Sequence, residues 1–218
     1  WTRKCQAACS FCYASLQAST DGGEITRDHA LNFLTDAADI GVRGISLISD
    51  GESTLVPYYA ESIEYAKSVG LAIGAGSNGI ALTKPVLERI LPNLSFLRFN
   101  FSAGTKKRYA EIMGVKQHQY DVVVQNIKDG MEIINRDNLP CTLNLQLVST
   151  PQDADQIVPF AKLAASLKPS YFIVKHCSEG DEGQLGVDYS KYDDMQGLYE
   201  EAERIGIEAG VKATVKWN

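Results

Sequence analysis

The chain has 218 residues, of which 44% are hydrophobic and 22% are charged, and its formal net charge is −6. This length favours one α/β domain with a full core over two small domains. The acidic balance argues against a nucleic-acid partner, which needs a basic surface, and no run approaches the roughly 18 to 20 apolar residues of a membrane-spanning helix.

Short β-branched segments alternate with amphipathic helical segments along the chain, a pattern typical of βα units around a parallel sheet. We predict six strands, at residues 44–49, 71–76, 96–101, 142–148, 171–176 and 212–217. Helices are predicted at about 27–40, 57–69, 83–91, 119–136, 153–167 and 191–209. Because parallel crossovers are right-handed, six such units form either a barrel or a doubly wound sheet. In both, functional groups lie at the C-terminal ends of the strands.

Polar residues stand at the predicted start of several helices. Thr26 precedes the first helix, Thr83 precedes the third, and Ser149 and Thr150 precede the helix at 153–167. A side-chain oxygen that caps an unpaired backbone amide contributes about 1 kcal/mol to stability. We therefore expect N-caps at these positions.

Three of the five cysteines, Cys5, Cys9 and Cys12, lie within eight residues in "KCQAACSFC". Three thiolates can bind three irons of a [4Fe–4S] cluster and leave the fourth iron open to a small molecule. A structural zinc site normally takes four ligands, and Cys141, Cys177 and the histidines stand at no recognisable zinc spacing. The "CSFC" pair alone fits a dithiol redox motif, which leaves Cys5 unused. Bunched cysteines also suit a reducing compartment, so we expect a cytoplasmic protein.

Cys-x3-Cys-x2-Cys with Phe11 before the last cysteine resembles the signature of the radical S-adenosylmethionine (SAM) superfamily. Members carry Gly-Gly-Glu at the end of the next strand, where it meets the amino group of SAM. Asp50, Gly51 and Glu52 stand there in this chain, with Asp50 in place of the first glycine. Members often show Thr-Asn-Gly after the following strand, and here Asn78 lies in Ser-Asn-Gly. The resemblance implies that five residues contact the cofactor SAM: Phe11, Asp50, Gly51, Glu52 and Asn78.

The next two strands carry further polar residues. Many members read Ser-x-Asp-Gly where this chain has Asn100 and Ser102, so the acidic residue is missing. Strand alternation puts Asn100 and Ser102 on one face, and the resemblance implies that they bind ribose hydroxyls or the carboxylate of SAM. A simpler alternative is that they cap a helix beginning near Thr105. Asn144 and Gln146 also share a face and are further candidate cofactor contacts.

Lys175 and His176 end the strand at 171–176 and are candidate catalytic residues, because substrate groups gather where strands end at a barrel mouth. A buried structural role is the alternative for a single histidine.

The resemblance implies an α/β fold, a partial (βα)6 TIM-like barrel of parallel strands, with residues 1–218 as the core domain of a longer chain. It also implies two cofactors, a [4Fe–4S] cluster and SAM. An electron from a reductant such as flavodoxin or ferredoxin would cleave SAM to a 5′-deoxyadenosyl radical, which abstracts hydrogen from a peptide or small-molecule substrate. The stretch "KKRYAEIMG" is similar to the branch of peptide maturases and the molybdopterin-precursor cyclase. The alternative function is an iron–sulfur electron-transfer or structural protein, which would normally supply a fourth cysteine.

Overall fold

Six parallel strands form one sheet whose spatial order follows the chain, from first to last. The computed structural model describes residues 1–12, 14, 23–179 and 183–216. The strands are β1 (Gly44–Leu47), β2 (Ala72–Ser77), β3 (Leu94–Asn100), β4 (Thr142–Ser149), β5 (Tyr171–His176) and β6 (Lys212–Lys216). Within these residues the sheet is open, with β1 and β6 at its edges.

Helices connect successive strands and cover one face of the sheet. They are α1 (Arg27–Asp39), α2 (Tyr59–Ser68), α3 (Lys84–Ile90), α4 (Lys106–Met113), α5 (His118–Asp137), α6 (Ile157–Leu167) and α7 (Gln196–Ala209). Short 3-10 turns at Pro151–Gln156 and Tyr189–Met195 lead into α6 and α7. None of the helices in the described part of the chain combines the length and apolar character that a bilayer-spanning segment needs.

The two faces of the sheet differ in chemistry because side chains alternate along each strand. Leu97 and Phe99 of β3 are fully buried on the helix face, where Phe99 lies beside Val123 of α5 and would meet any Cβ built on Gly79. The opposite face, which we call the lumen, is lined by glycine and polar residues of β2, β3 and β4. The core therefore lies between sheet and helices, and the lumen is left for function.

All six predicted strands and the parallel α/β architecture are confirmed. Strand ends differ by at most two residues, and Trp217 of the last predicted strand lies outside the described residues. The helices predicted at 153–167 and 191–209 each begin with a 3-10 turn rather than as one α-helix. The helix expected near Thr105 is α4.

The predicted caps are confirmed only at α1. The Thr26 hydroxyl accepts a hydrogen bond from the backbone N of His29 at 3.3 Å. Thr83 has extended N-cap dihedrals but its side chain caps nothing, and the Thr150 hydroxyl donates to Asp153 at 2.8 Å instead. At Thr150 the hydroxyl donates its proton to the Asp153 carboxylate, and in the described residues its oxygen accepts no backbone N–H of the turn that follows.

The N-terminus of α4 is capped from another part of the chain. The side-chain oxygen of Gln156 accepts from the backbone N of Gly104 and of Thr105, each at 3.2 Å, and from the Thr105 hydroxyl at 3.0 Å. Gln156 is buried. This contact fixes the end of β3 and the start of α4 against the turn before α6.

Candidate functional site

The cysteine loop (residues 4–12) is held on one side by the turn after β1. The backbone N of Glu52 donates to the carbonyl of Lys4 at 2.8 Å. A Cβ on Gly51 would lie 2.2 Å from the carbonyl oxygen of Thr2, closer than any real contact. Only glycine allows this approach of two backbones, so the turn must be bare at Gly51.

Asp50, which replaces the first glycine of the family pattern, is exposed. Its side chain therefore does not obstruct the turn. The close approach depends on the following residue, Gly51.

On its other side the cysteine loop is held by the C-terminal end of α4. The backbone N atoms of Ala8 and Ser10 donate to the carbonyls of Met113 and Ile112, at 3.0 and 2.8 Å. Gly114 ends the helix in the left-handed region with φ +62°, and a Cβ there would lie 2.4 Å from the Ala8 carbonyl oxygen. The loop is thus fixed at both sides through backbone contacts.

Burial perturbs two thiols of the loop, those of Cys9 and Cys5, and raises the pKa of each. Burial, together with the smaller effects of the neighbouring Cys12 and Cys5, raises the pKa of Cys9 to about 12. Burial also raises the pKa of Cys5, and the charge of Glu52 adds to the rise. Such thiols stay protonated until a metal binds, because a coordinating thiol loses its proton to the cation. The donor set therefore fits a metal centre.

This donor set does not fit a single ion. In the part of the chain that the structure describes, no three His, Cys, Asp or Glu side chains converge on one metal position. In an iron–sulfur cube each cysteine binds a different iron, so its ligands stand farther apart than those of one zinc ion. The three cysteines on one loop fit the cluster better than the zinc alternative.

Glu52 is buried at 4% exposure and joins the ends of β1 and β2. Its Oε1 accepts from the Thr54 hydroxyl at 2.7 Å and from the Ser77 hydroxyl at 2.9 Å, and its Oε2 accepts from the backbone N of Asn78 at 2.7 Å. Since each carboxylate oxygen can accept two hydrogen bonds, Oε2 retains a lone pair for a further donor such as an ammonium group.

Asn78 contacts the cysteine loop directly. Its Nδ2 donates to Cys5 Sγ at 3.8 Å, and its Oδ1 accepts from Gln6 Nε2 at 3.4 Å and from the backbone N of Ile80 at 3.0 Å. Hydrogen bonds to cluster sulfurs are one of the factors that set a cluster's reduction potential. The side chain expected to contact SAM is thus engaged with a cysteine of the loop.

Asn100 and Gln146 meet across β3 and β4. They are register partners, and Gln146 Nε2 donates to Asn100 Oδ1 at 3.3 Å. The Ser102 hydroxyl accepts from the backbone N of Val148 at 3.2 Å and so extends the pairing of these strands beyond β3. Neither Asn100 nor Ser102 caps α4, so the simpler interpretation of these residues is wrong.

Lys175 and His176 lie on opposite faces of β5. The His176 ring stacks on Tyr192 with centroids 4.0 Å apart and an interplanar angle of 23°, and it lies 5.5 Å from the Tyr199 ring of α7. The expectation that His176 faces the barrel mouth is therefore wrong, because strand alternation turns it into the helix layer. Lys175 occupies the lumen side.

Cys177 follows β5 and approaches the cysteine loop. It is buried, and its Sγ donates to the carbonyl of Phe11 at 3.8 Å. Burial raises its pKa. The Phe11 side chain is partly buried against the core. This contact, between residues 166 positions apart, ties the loop to the fifth strand.

The sequence analysis missed Arg98. It lies between Gly76 and Asn144 in the register of β2, β3 and β4, on the lumen face. The signal was present in the sequence, because alternating Gly74 and Gly76 within a strand mark a close approach by neighbouring groups. A Cβ on Gly74 would lie 2.0 Å from the ring of Phe96, and one on Gly76 would lie 3.2 Å from Arg98 Nη2.

Relatives of known sequence span more than this chain. It is 24% identical over 172 residues to the AdoMet-dependent heme synthase of Methanosarcina barkeri, covering 76% of this chain and 46% of that protein. It is 23% identical over 212 residues to the PqqA peptide cyclase of Bradyrhizobium diazoefficiens, covering 86% and 56%. The chain spans about half the length of these curated relatives.

Solved structures share the fold. Streptococcus suis SuiB bound to SAM aligns with a TM-score of 0.74 at 18% identity, covering 99% of this chain and 49% of that one. The structure of anSMEcpe with bound AdoMet and Kp18Cys peptide aligns with a TM-score of 0.72 at 13% identity, covering 98% and 61%. Both support the open parallel barrel.

A family model decides the class of protein. The model of the radical SAM superfamily matches residues 1–158, which include the cysteine loop, Glu52, Asn78 and the β3–β4 pair. Proteins of this family bind a [4Fe–4S] cluster and SAM, which confirms the cofactors expected from the cysteine motif. The chain belongs to the radical SAM superfamily.

Proposed function

We propose that this chain binds a [4Fe–4S] cluster through Cys5, Cys9 and Cys12 and cleaves SAM reductively to start radical chemistry on a substrate in the lumen. One observation carries the proposal: the cysteine loop is fixed against the turn after β1 by the hydrogen bond from Glu52 N to the Lys4 carbonyl. The buried Glu52 carboxylate accepts from the backbone N of Asn78, whose side chain donates to Cys5 Sγ. A metal cluster and a carboxylate are the two groups that the amino-acid end of SAM requires.

The residues of the chain would divide the binding of SAM between them. Glu52 Oε2 would accept from the ammonium group, because a lone pair on it is free and an opposite charge favours that contact. The Asn100–Gln146 pair and the Ser102 hydroxyl lie farther across the sheet and would hold ribose hydroxyls or the carboxylate. When bound, the reduced cluster and SAM supply a 5′-deoxyadenosyl radical that abstracts a hydrogen atom from substrate.

The protein's own part in this chemistry is to orient and to shield. Backbone anchors at Gly51 and Gly114 fix the loop, and the lumen excludes water and competing hydrogen donors. Lys175, at the lumen end of β5, is a candidate for contact with substrate.

The substrate proposed is a peptide or a small molecule. The relatives support both: one is named a PqqA peptide cyclase, SuiB was crystallised with the precursor peptide SuiA, and another relative is named a heme synthase. We further propose a low-potential reductant such as flavodoxin or ferredoxin as electron donor, in a reducing cytoplasm where thiol ligands persist.

Anaerobic reconstitution with iron and sulfide tests the proposal. The protein should bind about four irons and, after reduction with dithionite, convert SAM to 5′-deoxyadenosine. Cys9→Ala should lose both properties, whereas Cys141→Ala, a buried cysteine at the start of β4, should keep both. A brown protein whose cluster is reduced by dithionite but which leaves SAM intact would instead support the electron-transfer alternative.

That alternative has one candidate ligand in the structure. Cys177 lies against Phe11 of the loop and would be the fourth cysteine that an electron-transfer cluster needs. If Cys177→Ala removed an iron ligand, detected by Mössbauer spectroscopy as a change at one iron site, the open iron required for SAM would not exist.

A further inference from the structure

Arg98 lies on the lumen face of β3 and is half-buried. Among the described residues no carboxylate pairs with it, whereas the exposed Arg27, Arg89, Arg136 and Arg204 all form ion pairs. Its Nε is buried and makes no hydrogen bond to any residue that the structure describes. Burial lowers the pKa of the guanidinium, an effect that the nearby Tyr171 partly opposes. A half-buried cation with no carboxylate partner among the described residues is costly and calls for an anion.

Asn144 lies beside Arg98 and also has polar atoms without hydrogen-bond partners among the described residues. The two residues are register partners on β3 and β4. Asn144 is 1% exposed, and within the described ranges neither its Nδ2 nor its Oδ1 has a hydrogen-bond partner. Because buried polar groups in native proteins are nearly always satisfied, the two unpaired donors, Arg98 Nε and Asn144 Nδ2, indicate a ligand that supplies acceptor atoms.

The glycine of the neighbouring strand leaves room for this arrangement. The guanidinium lies across Gly76, with Nη2 and Nε at 3.2 and 3.5 Å from the place where a Cβ would stand. Asn144 flanks it on β4, and Tyr171 on β5 is the next register partner. At this level the lumen face thus presents the Arg98 guanidinium and the Asn144 carboxamide, beside a strand that carries no side chain at Gly76.

We propose that Arg98 and Asn144 form a subsite for a carboxylate of the substrate, such as the side chain of an acidic peptide residue. A guanidinium matches the two oxygens of a carboxylate with parallel hydrogen bonds, and Asn144 Nδ2 adds a third donor. The single positive charge balances a monoanion, whereas a phosphate dianion would keep a buried uncompensated charge.

The position suits substrate rather than SAM. Arg98 and Asn144 each precede by two residues, on the same strand faces, the Asn100–Gln146 pair assigned to SAM, which places them roughly 7 Å farther from the C-terminal ends of the strands. A carboxylate fixed there would hold the substrate beneath SAM. This inference rests on the proposed function, which puts substrate in the lumen.

Nuclear magnetic resonance of the reconstituted, oxidised protein with nitrogen-15-labelled arginine tests the subsite. The Nε–H signal of Arg98 is assigned by its loss in Arg98→Lys. The two probes are N-acetylglutamate α-amide and its neutral counterpart N-acetylglutamine α-amide. We expect the acidic probe alone to shift the Arg98 signal, while the signal of Arg136, exposed and paired with Glu88, stays in place.

Variants give the magnitude. Removing a hydrogen bond to a charged group should weaken binding of the acidic probe roughly 10- to 100-fold in Arg98→Met, with a smaller loss in Asn144→Leu. If Arg98→Met does not fold, Arg98→Lys keeps the charge but loses the fork and carries the comparison by isothermal titration. No Arg98 shift, an equal shift with the neutral probe, or a shift caused by SAM alone would overturn the proposal.

The two proposals fail separately. Loss of SAM cleavage with the Arg98 signal still responding to the acidic probe would remove the proposed function and leave an anion site. Cleavage of SAM without any response at Arg98 would remove the subsite alone.

Discussion

Replacing Gly114 by alanine tests whether the contact with α4 holds the cysteine loop. Gly114 and Gly210 both end a helix at positive φ, +62° and +69°, and therefore share the same backbone cost of substitution. A Cβ on Gly114 would lie 2.4 Å from the Ala8 carbonyl oxygen, whereas one on Gly210 would meet nothing within 4 Å. Gly210→Ala is therefore a matched control.

The structure gives the expected magnitudes. An L-residue at positive φ costs about 1 to 2 kcal/mol, which applies to both variants. In Gly114→Ala the loop must also move away and lose its two backbone hydrogen bonds to Met113 and Ile112, each with a net value of about 0.5 to 1.5 kcal/mol. The extra loss of about 1 to 3 kcal/mol falls on the docking of the loop.

Two assays separate these effects. Urea unfolding should show Gly210→Ala destabilised by its backbone cost alone, and anaerobic reconstitution should give it wild-type iron content and visible absorbance. Gly114→Ala should bind clearly less iron at the same iron and sulfide concentrations. Equal iron content in the two variants would refute the idea that the end of α4 positions the cysteines.

Three further substitutions have defined outcomes. Gln156→Leu removes the acceptor for two backbone N–H groups at the start of α4 and should lower the free energy of unfolding by about 1 to 3 kcal/mol, as measured by urea unfolding. An unchanged free energy of unfolding would contradict the capping role. Cys177→Ala should leave iron content and SAM cleavage unchanged, as measured after reconstitution, since its contact with the loop is to a carbonyl. Gly74→Ala should destabilise the protein by about 1 to 3 kcal/mol through overpacking against Phe96. In a Phe96→Ala background the same substitution should cost much less, as measured by thermal unfolding. Equal costs in the two backgrounds would mean that the two side chains do not meet.

The strands and the cysteine site were predictable because their signals are local. β-branched runs and a three-cysteine loop are read from neighbouring residues, and parallel order follows from the alternation of strands and helices. The orientation of His176 also follows from alternation: since Phe172 and Val174 are buried on the helix face, His176 on the same strand shares that face with them.

Contacts between distant residues could not be predicted in the same way. The cap supplied by Gln156 to α4 joins residues 51 and 52 positions apart, and its partners depend on how the turn before α6 lies against β3. The adjacency of Arg98 and Asn144 depends on the register between β3 and β4, which no short sequence pattern specifies. Gly74 and Gly76 indicated a close approach on β2 but not which side chains make it.

The attachment of the cysteine loop through main-chain atoms has a consequence for mutational tolerance. The side chains of Ala8 and Ser10 are exposed, although their amides are bonded to α4. A saturation library should therefore accept many side chains at these two positions inside the most sequence-specific segment of the protein. Intolerance should appear instead at Gly51 and Gly114, which carry no functional group and lie far from the motif in sequence.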